Sequence, residues 1–368
     1  MSNKIISSDN HIVEPPDLWA TRIDSKFKDR APRVVDVEGG QIWVIDDQAG
    51  SSFIQGTQAG TRFDNPEDLS NVMDSFENVR PGAYMPDEAI KDLKLDGVDA
   101  GIVYATECLV LYNEVKDTEL LNAIFRAYND FCSEFCSAHP KILKGVGFIN
   151  LDDVDVAVKE LIRCANMGLI GAAIPAFNER MRYKDPALDP FWAAAQDYEM
   201  PISLHIATNR LAPHNPEFGR HKPAPLFLDG QLVNGDYWVR QSMLDMIMGG
   251  VFERFPKLKV GSVENELAWA LFFVQRLDYN YQQSAYGWAG YRFKNDMQPS
   301  DFFRRNCFID TQEDFLGISV REHIGVDNIL WGNDYPHIES TFPKSMEFLE
   351  KMLADCSEDE KEKITGGN

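Results

Sequence analysis

The chain has 368 residues, which is long enough for two average domains or for one large α/β barrel with insertions. Its formal net charge of −22 argues against nucleic acid or an anionic membrane surface as a partner, because an acidic surface repels polyanions. The six cysteines include no Cys-x-x-Cys pair and indicate reduced core residues. No apolar stretch approaches the roughly 20 residues of a membrane span, and no signal-peptide pattern precedes the first strand. We therefore expect a cytoplasmic protein.

The first predicted strand covers residues 5–12 and carries Asp9 and His11 near its end. Side chains two residues apart on a strand point to the same side, so this pair can converge on one metal ion. An Asx turn with a surface histidine is the alternative. This segment alone does not decide between the two.

Residues 17–95 interrupt the alternation of strands and helices with many Pro, Gly and Asp residues. Within them, residues 33–46 predict a β-hairpin that turns at Gly39 and Gly40. A segment of this length is more often structured or functional than an idle surface loop. We therefore predict that 17–95 is an insertion that forms a lid over the site, and not a separate domain.

From residue 96 onwards, apolar runs alternate regularly with segments of helical periodicity. Further strands are predicted at residues 101–104, 144–149, 170–175, 201–206, 258–263, 307–310 and 328–331. Helices are predicted at residues 117–137, 152–167, 190–198, 237–255, 267–278, 314–324 and 342–356. Eight strands with interleaved helices are typical of a (β/α)8 or TIM barrel in the α/β class. We predict one domain over residues 1–368, with 342–368 as a C-terminal helical tail.

Two later strands also end in residues that can bind a metal, namely His205 after the fifth strand and Asp334 after the eighth. The carboxyl ends of barrel strands share one face, so we expect Asp9, His11, His205 and Asp334 to form one site. Two imidazoles and two carboxylates suit a single divalent ion, and we predict zinc, with manganese or iron as alternatives. The alternative is that His205 is an ordinary core residue and Asp334 a helix cap.

Three residues near these strand ends are candidates for catalysis. Asp334 can bind a metal with one oxygen and keep the other as a general base. Glu264 follows the sixth strand and can relay protons or add a ligand, whereas Glu266 is its rival for this role. His337 is predicted to contact substrate or to orient Asp334, and the alternative is a turn histidine stacked on Tyr335.

The chain resembles the amidohydrolase-related metal enzymes that include the aminocarboxymuconate-semialdehyde and dihydroxybenzoate decarboxylases. The resemblance covers nearly the whole chain and rests on four motifs in order. They are Asp9-x-His11-x-x-Glu14-Pro15, Asp189-Pro190-Phe191-Trp192 leading into Leu204-His205, Phe255-Pro256-Lys257-Leu258-Lys259, and Trp331-Gly332-Asn333-Asp334-Tyr335-Pro336-His337. Two positions depart from the family pattern. Many relatives carry His-x-His or Glu-x-His where this chain has Asp9-x-His11, and the decarboxylases carry a histidine at the position of Glu264.

Two reactions follow from this ligand set. In a hydrolase, Asp334 takes a proton from a metal-activated water that attacks an amide, a lactone or an activated C–C carbonyl. In a non-oxidative decarboxylase, which the resemblance implies, a protein acid protonates the carbon of a small aromatic acid that loses CO₂. We put hydrolysis first, because Asp9, Asp334 and Glu264 would repel a carboxylate unless Arg62, Arg210 or Arg240 lies nearby. A non-catalytic metal-binding relative is the third possibility.

The substrate is expected to be a small molecule in a pocket lined by residues 17–95 and 207–235, the second of which contains His214 and His221. We also expect a homodimer or a higher homo-oligomer. Relatives commonly associate, and residues 279–293 are too rich in aromatic side chains for an exposed loop.

Overall fold

The computed structural model describes residues 4–67, 73–216, 235–283 and 292–368 of the chain. Several predicted features therefore fall partly or wholly outside the described residues. They are part of the 17–95 insertion, most of the 207–235 loop with His221, and part of the 279–293 segment. His214 is described and is exposed.

The described strands form two sheets, one with eight parallel strands and one with three antiparallel strands. In chain order the strands are β1 (Ile6–Ile12), β2 (Arg33–Val37), β3 (Gly40–Ile45), β4 (Gln48–Ser52), β5 (Ala100–Ala105), β6 (Leu143–Phe148), β7 (Gly171–Pro175), β8 (Ile202–His205), β9 (Val260–Val263), β10 (Cys307–Thr311) and β11 (Ile329–Trp331). Every residue of β7, β8 and β9 is buried, as expected for parallel strands covered by helices.

The eight parallel strands are β1 and β5 to β11, and each pairs with the next in chain order. The first and last are joined by two backbone hydrogen bonds, from Asp334 N to Asp9 O at 3.0 Å and from His11 N to Tyr335 O at 2.6 Å. These bonds close the sheet into a barrel, and they lie at the residues predicted to bind the metal. The predicted (β/α)8 barrel is confirmed.

Helices surround the barrel and fill the insertion. They are α1 (Leu18–Arg22), α2 (Ile54–Thr57), α3 (Thr61–Asp64), α4 (Pro86–Asp96), α5 (Glu107–Glu114), α6 (Thr118–Ser137), α7 (Val154–Asn166), α8 (Asp189–Asp197), α9 (Gly235–Met248), α10 (Val251–Arg254), α11 (Ala268–Gln283), α12 (Pro299–Asn306), α13 (Phe315–Ser319), α14 (Arg321–Ile324), α15 (Ser345–Met352) and α16 (Glu358–Glu362). No helix in the described part of the chain combines the length and the hydropathy needed to cross a bilayer.

Helix α6 shows why the longer helices form where the sequence predicts them. The Asp117 side chain accepts hydrogen bonds from the backbone N–H groups of Glu119 and Leu120, and so caps the first turn. Ile124 and Tyr128, four residues apart, are buried against the barrel. The prediction of one long helix over residues 237–255 is wrong. The chain breaks between α9 and α10 at Gly250, whose φ of 69° ends the helical path.

The insertion after β1 contains the small antiparallel sheet. The predicted hairpin is confirmed as β2 and β3, with Gly39 at a φ of 89° in the turn. The third strand, β4, was not predicted. The insertion is anchored to the barrel layer by Trp19, whose indole N–H donates to the carbonyl of Ile124 on α6 at 3.1 Å. Its role as a lid stays a prediction.

Candidate metal centre and active site

Five side chains meet at the carboxyl ends of four barrel strands, and we call them the ligand cluster. They are Asp9 and His11 on β1, His205 at the end of β8, Glu264 after β9 and Asp334 after β11. Glu264 is partly buried and the other four are buried. This is the face of a (β/α)8 barrel at which active sites are built.

The ligand cluster is compact. Nε2 of His11 lies 3.2 Å from Oδ1 of Asp9 and 3.2 Å from Oδ1 of Asp334. Nε2 of His205 lies 3.5 Å from Oδ1 of Asp9 and 3.5 Å from Oε2 of Glu264. One ligand atom from each of Asp9, His11, His205 and Glu264 lies within 4.8 Å of the others. The four residues predicted as ligands are thus brought together, and Glu264 joins them.

The hydrogen-bonding atoms of the ligand cluster fit a cation. Both oxygens of Asp9 and of Asp334, Nε2 of both histidines and Oε2 of Glu264 are buried. Beyond the contacts of 2.9–3.5 Å within the cluster and with His337, these atoms have no hydrogen-bond partner among the described residues. Nδ1 of His11 lies 2.7 Å from the carbonyl oxygen of Ala105, to which it can only donate. This bond leaves the lone pair of Nε2 directed into the cluster, as in a metal-binding histidine.

The charges of the cluster also point to a cation. Burial opposes ionisation of Asp9, but the positive charges of His11 and His205 outweigh it and hold the pKa of Asp9 far below its usual range. Burial likewise opposes protonation of His11, yet Asp9 and Asp334 raise its pKa to about 10. Burial, followed by the charges of Asp334 and Glu339, raises the pKa of Glu264 well above its usual range. A divalent ion would replace these protons as the positive charge.

His337 lies against Asp334, as one of the two predictions for it requires. Its Nδ1 is 2.9 Å from Oδ1 of Asp334, and its Nε2 is 3.1 Å from the hydroxyl of Thr106. Its ring stacks on His11 at a centroid distance of 3.9 Å. The alternative stacking partner was Tyr335. These contacts fix the orientation of Asp334, and a ring nitrogen of His337 lies within 4.8 Å of ligand atoms of His11, Glu264 and Asp334.

Glu266, the rival of Glu264, is occupied by the backbone. Its carboxylate accepts hydrogen bonds from the Thr311 hydroxyl at 2.7 Å and from the amide of Glu313 at 3.0 Å. It therefore holds the loop after β10 and does not face the ligand cluster.

A cavity of about 460 Å³ opens beside the ligand cluster. Nine acidic residues contribute to its lining, and Arg62 of the insertion is the one basic residue among the described lining residues. Arg62 itself forms an ion pair with Glu313. Arg240 pairs with Asp236 at 2.6 Å. Arg210 is not a candidate for substrate binding, because it is fully buried and pairs with Asp152 at 2.6 Å.

Sequence reasoning missed three residues that build the site. Thr106 contacts His337, and Asp310 accepts a hydrogen bond from the amide of Glu264 at 2.8 Å. Glu14, which was used as part of a motif without a role, accepts hydrogen bonds from the amides of Glu107 and Cys108 and so fixes the start of α5. Asp310 follows the same strand-end rule as the other acids, which was not applied to β10.

The fold and the cluster together define a metal-dependent enzyme of the amidohydrolase type, in which a (β/α)8 barrel holds a divalent-metal site at its carboxyl face. The chain belongs to the amidohydrolase family, since the family described as Amidohydrolase matches residues 78–264. The family resemblance inferred from the four motifs is thereby confirmed. The chain is an enzyme of hydrolase or carboxy-lyase type.

Proteins that are similar to this chain include two decarboxylases and an amidohydrolase. The gamma-resorcylate decarboxylase of Polaromonas sp. (strain JS666 / ATCC BAA-500) is 24% identical over 277 residues, which are 69% of this chain and 77% of that protein. An amidohydrolase from Mycobacterium avium subsp. paratuberculosis K-10 has a TM-score of 0.77 at 22% identity, over 99% of this chain and 97% of that one. A dihydroxybenzoic acid decarboxylase from Polaromonas sp. JS666, solved with bound manganese and 2-nitroresorcinol, has a TM-score of 0.61 at 19% identity, over 99% and 95%.

Proposed function

We propose that the chain is a metal-dependent, non-oxidative decarboxylase of a small aromatic carboxylic acid. The observation that carries the proposal is the ligand cluster, whose buried ligand atoms lie beside a cavity and lack hydrogen-bond partners outside the cluster and His337 in the described part of the chain. The choice of reaction is supported by the decarboxylases among the similar proteins. The electrostatic argument favours hydrolysis, whereas these similarities favour the alternative, decarboxylation.

Asp9, His11, His205 and Asp334 would hold the ion, and Glu264 faces the same point. When bound, a divalent ion supplies positive charge that offsets the carboxylates and polarises substrate oxygens. Two imidazoles with two carboxylates suit both zinc and manganese. Glu264 adds a third carboxylate, and a set with more oxygen ligands favours manganese. Metal analysis of protein grown with both metals distinguishes them.

Decarboxylation breaks the bond between the ring carbon and the carboxyl carbon, releases CO₂ and requires one proton at the ring carbon. Asp334 and His337 form the pair best placed to hold that proton, since Nδ1 of His337 is 2.9 Å from Oδ1 of Asp334. Thr106 fixes the far side of the imidazole at 3.1 Å. Although burial opposes ionisation of Asp334, His337 and His11 hold its pKa below its usual range, so it would first take the proton of the substrate's acid group. It would then pass this proton to the ring carbon as the bond to the carboxyl carbon breaks and CO₂ leaves.

Hydrolysis is the second candidate, and the lining of the cavity favours it. Nine acidic residues and one described arginine make a negative environment that admits a neutral amide, lactone or β-diketone more readily than a carboxylate. In that reaction Asp334 would accept the proton of the attacking water.

Isotope labelling separates the two reactions. Metal-loaded protein is incubated in H₂¹⁸O with a panel of hydroxylated aromatic acids and, separately, with neutral amides, lactones and β-diketones. We expect CO₂ release from an aromatic acid without ¹⁸O in the aromatic product, and none after the metal is removed by chelation. Incorporation of ¹⁸O into the products of a neutral compound, with no CO₂ from any acid, would contradict the proposal.

A further inference from the structure

We propose that Asp310 is a positioning residue of the metal centre, whose carboxylate holds the backbone of Glu264 so that the Glu264 carboxylate faces the ligand cluster. The inference rests on the proposed metal centre and assigns a role to a residue outside the ligand set. Asp310 contacts no candidate ligand side chain by a hydrogen bond, and in the described part of the chain it forms no ion pair.

The position of Asp310 suits this role. It lies in β10 and is 3% exposed. Its Oδ1 accepts the backbone N–H of Glu264 at 2.8 Å, and its Oδ2 accepts the hydroxyl of Ser8 at 3.4 Å. Ser8 immediately precedes Asp9 on β1. The carboxylate therefore links the two chain segments that carry Asp9 and Glu264.

Glu264 needs such a partner because of its backbone conformation. Its φ is 58°, in the left-handed region that L-residues other than Asn and Asp seldom adopt. The conformation directs Oε2 to within 3.5 Å of Nε2 of His205. Without the Asp310 carboxylate, the backbone N–H of Glu264 would have no acceptor. An extended conformation would then be lower in energy for Glu264 than the left-handed one. Its carboxylate would then turn away from the cluster.

The segment that carries Asp334 also packs against Asp310. Gly332 begins the turn that leads from β11 to Asp334. A Cβ atom at Gly332 would lie 2.7 Å from Cβ of Asp9 and 3.1 Å from Oδ2 of Asp310. The backbone can pass this close only because residue 332 is glycine, and Asp310 therefore lies between the segments that carry Asp9, Glu264 and Asp334, at the edge of the cavity. Burial and the neighbouring Asp9 raise the pKa of Asp310 well above its usual range, in keeping with this position.

Manganese binding to the full-length protein tests the inference without knowledge of the substrate. Chelator-treated wild type, Asp310→Leu and Asp310→Asn are titrated with MnCl₂, and free Mn²⁺ is followed by electron paramagnetic resonance. Asn keeps the oxygen that accepts from Glu264, whereas Leu removes it. We expect Asp310→Leu to bind about 10–100-fold more weakly, as is usual for residues that orient ligands, and Asp310→Asn to stay within a few-fold of wild type.

Two controls separate positioning from general destabilisation. Asn328→Ala removes hydrogen bonds to Arg304 and Cys307 at the opposite end of β10, and it should lower the melting temperature but not manganese affinity. In a Glu264→Ala background, Asp310→Leu should cause no further loss, because its effect is transmitted through Glu264. Should Asp310→Leu fail to fold, Asp310→Ala makes the same comparison.

The outcomes are distinguishable. Wild type that binds no manganese or zinc would contradict the proposed metal centre. Wild type that binds manganese while Asp310→Leu binds it equally tightly would overturn the role of Asp310. An Asp310→Asn variant as weak as Asp310→Leu, or a loss that persists in the Glu264→Ala background, would overturn it too.

Discussion

Two groups of buried charged side chains lie near the carboxyl ends of the barrel strands, and they differ in how far their polar atoms are hydrogen-bonded to the rest of the protein. The first surrounds Arg210, which is fully buried. Its guanidinium donates to Asp152 at 2.6 Å and to the carbonyl oxygens of Tyr112 and Val115 at 2.6 and 2.5 Å. Asp152 also accepts from Arg180 at 2.6 Å. The charged side chains of this group are thus paired with one another and hydrogen-bonded.

The ligand cluster is the second group. Seven of its side-chain oxygen and nitrogen atoms, on Asp9, His11, His205, Glu264 and Asp334, are buried and have no hydrogen-bond partner among the described residues outside the cluster and His337. Buried polar atoms are nearly always paired in native proteins, so a concentration of such atoms without outside partners indicates a ligand-binding site. Hydrogen bonding to the rest of the protein, and not burial or charge, therefore distinguishes the structural Arg210 group from the ligand cluster.

The largest expected effect is on catalysis by the ligand cluster. Asp334→Asn keeps an oxygen for the metal but cannot accept or deliver a proton. We expect turnover of the substrate found in the labelling panel to fall about 10²–10⁴-fold, while metal content falls much less. Steady-state kinetics at saturating metal, with metal analysis of the same samples, checks this. Near-normal turnover would place the proton transfer elsewhere, with Glu264 as the first suspect.

The Arg210 group should show the reverse behaviour. Arg210→Met leaves Asp152 buried with a weakened partner set and two carbonyl oxygens unpaired, so we expect a loss of about 3 kcal/mol in the free energy of unfolding. Urea denaturation measures this loss. Metal affinity of the folded variant should stay at the wild-type value. A stable variant with weakened metal binding would break the distinction between the two groups.

Glu114 is a buried carboxyl group that belongs to neither group, and the effect expected of it, on the pH dependence of stability, is the smallest. Burial raises its pKa to about 8, and its Oε1 has no hydrogen-bond partner. A carboxyl group with a raised pKa in the folded state contributes stability below its unfolded pKa of about 4.5, and this contribution is lost as the pH rises through 8. We expect metal-free wild type to lose on the order of 2 kcal/mol between pH 6 and pH 9 through this group.

Glu114→Gln should reduce the loss of stability between pH 6 and pH 9 by about this amount, since the amide does not ionise. Glu119→Gln is the matched control, because Glu119 is exposed and pairs with Lys26 at the surface. Urea denaturation of the three proteins at both pH values gives the comparison. An unchanged slope in Glu114→Gln would assign the pH dependence to other buried acids, such as Glu107 beside it.

The barrel could be predicted from the sequence because each of its strands is a short apolar run between segments of helical periodicity. Strand β4, with the sequence Gln-Ala-Gly-Ser-Ser, has no such pattern, and its pairing with β3 stabilises it. Likewise, Gly250 interrupts a run whose apolar spacing continues on both sides. In these places tertiary pairing or backbone conformation outweighs local pattern.

The candidate site could be predicted where one rule was enough, namely that residues able to bind a metal lie at the carboxyl ends of the barrel strands. Asp9, His11, His205 and Asp334 obey it and meet in space. The sequence could not show whether Arg210 binds substrate or stabilises the fold. Its partner Asp152 is 58 residues away, and only the folded chain shows that the two side chains form an ion pair. Thr106 and Asp310 act through hydrogen bonds to groups 231 and 46 residues away, which no local motif reveals.

The metal content of the purified protein tests the central claim most directly. Wild type, His205→Ala and His139→Ala are purified without added metal and analysed by inductively coupled plasma mass spectrometry. His139 is the control, because it pairs with Asp87 at 2.7 Å on a partly exposed side chain far from the cluster in sequence. We predict about one divalent ion per chain in wild type and in His139→Ala, and a large loss in His205→Ala. Equal metal content in all three proteins, or none in wild type after reconstitution with zinc or manganese, would contradict the account.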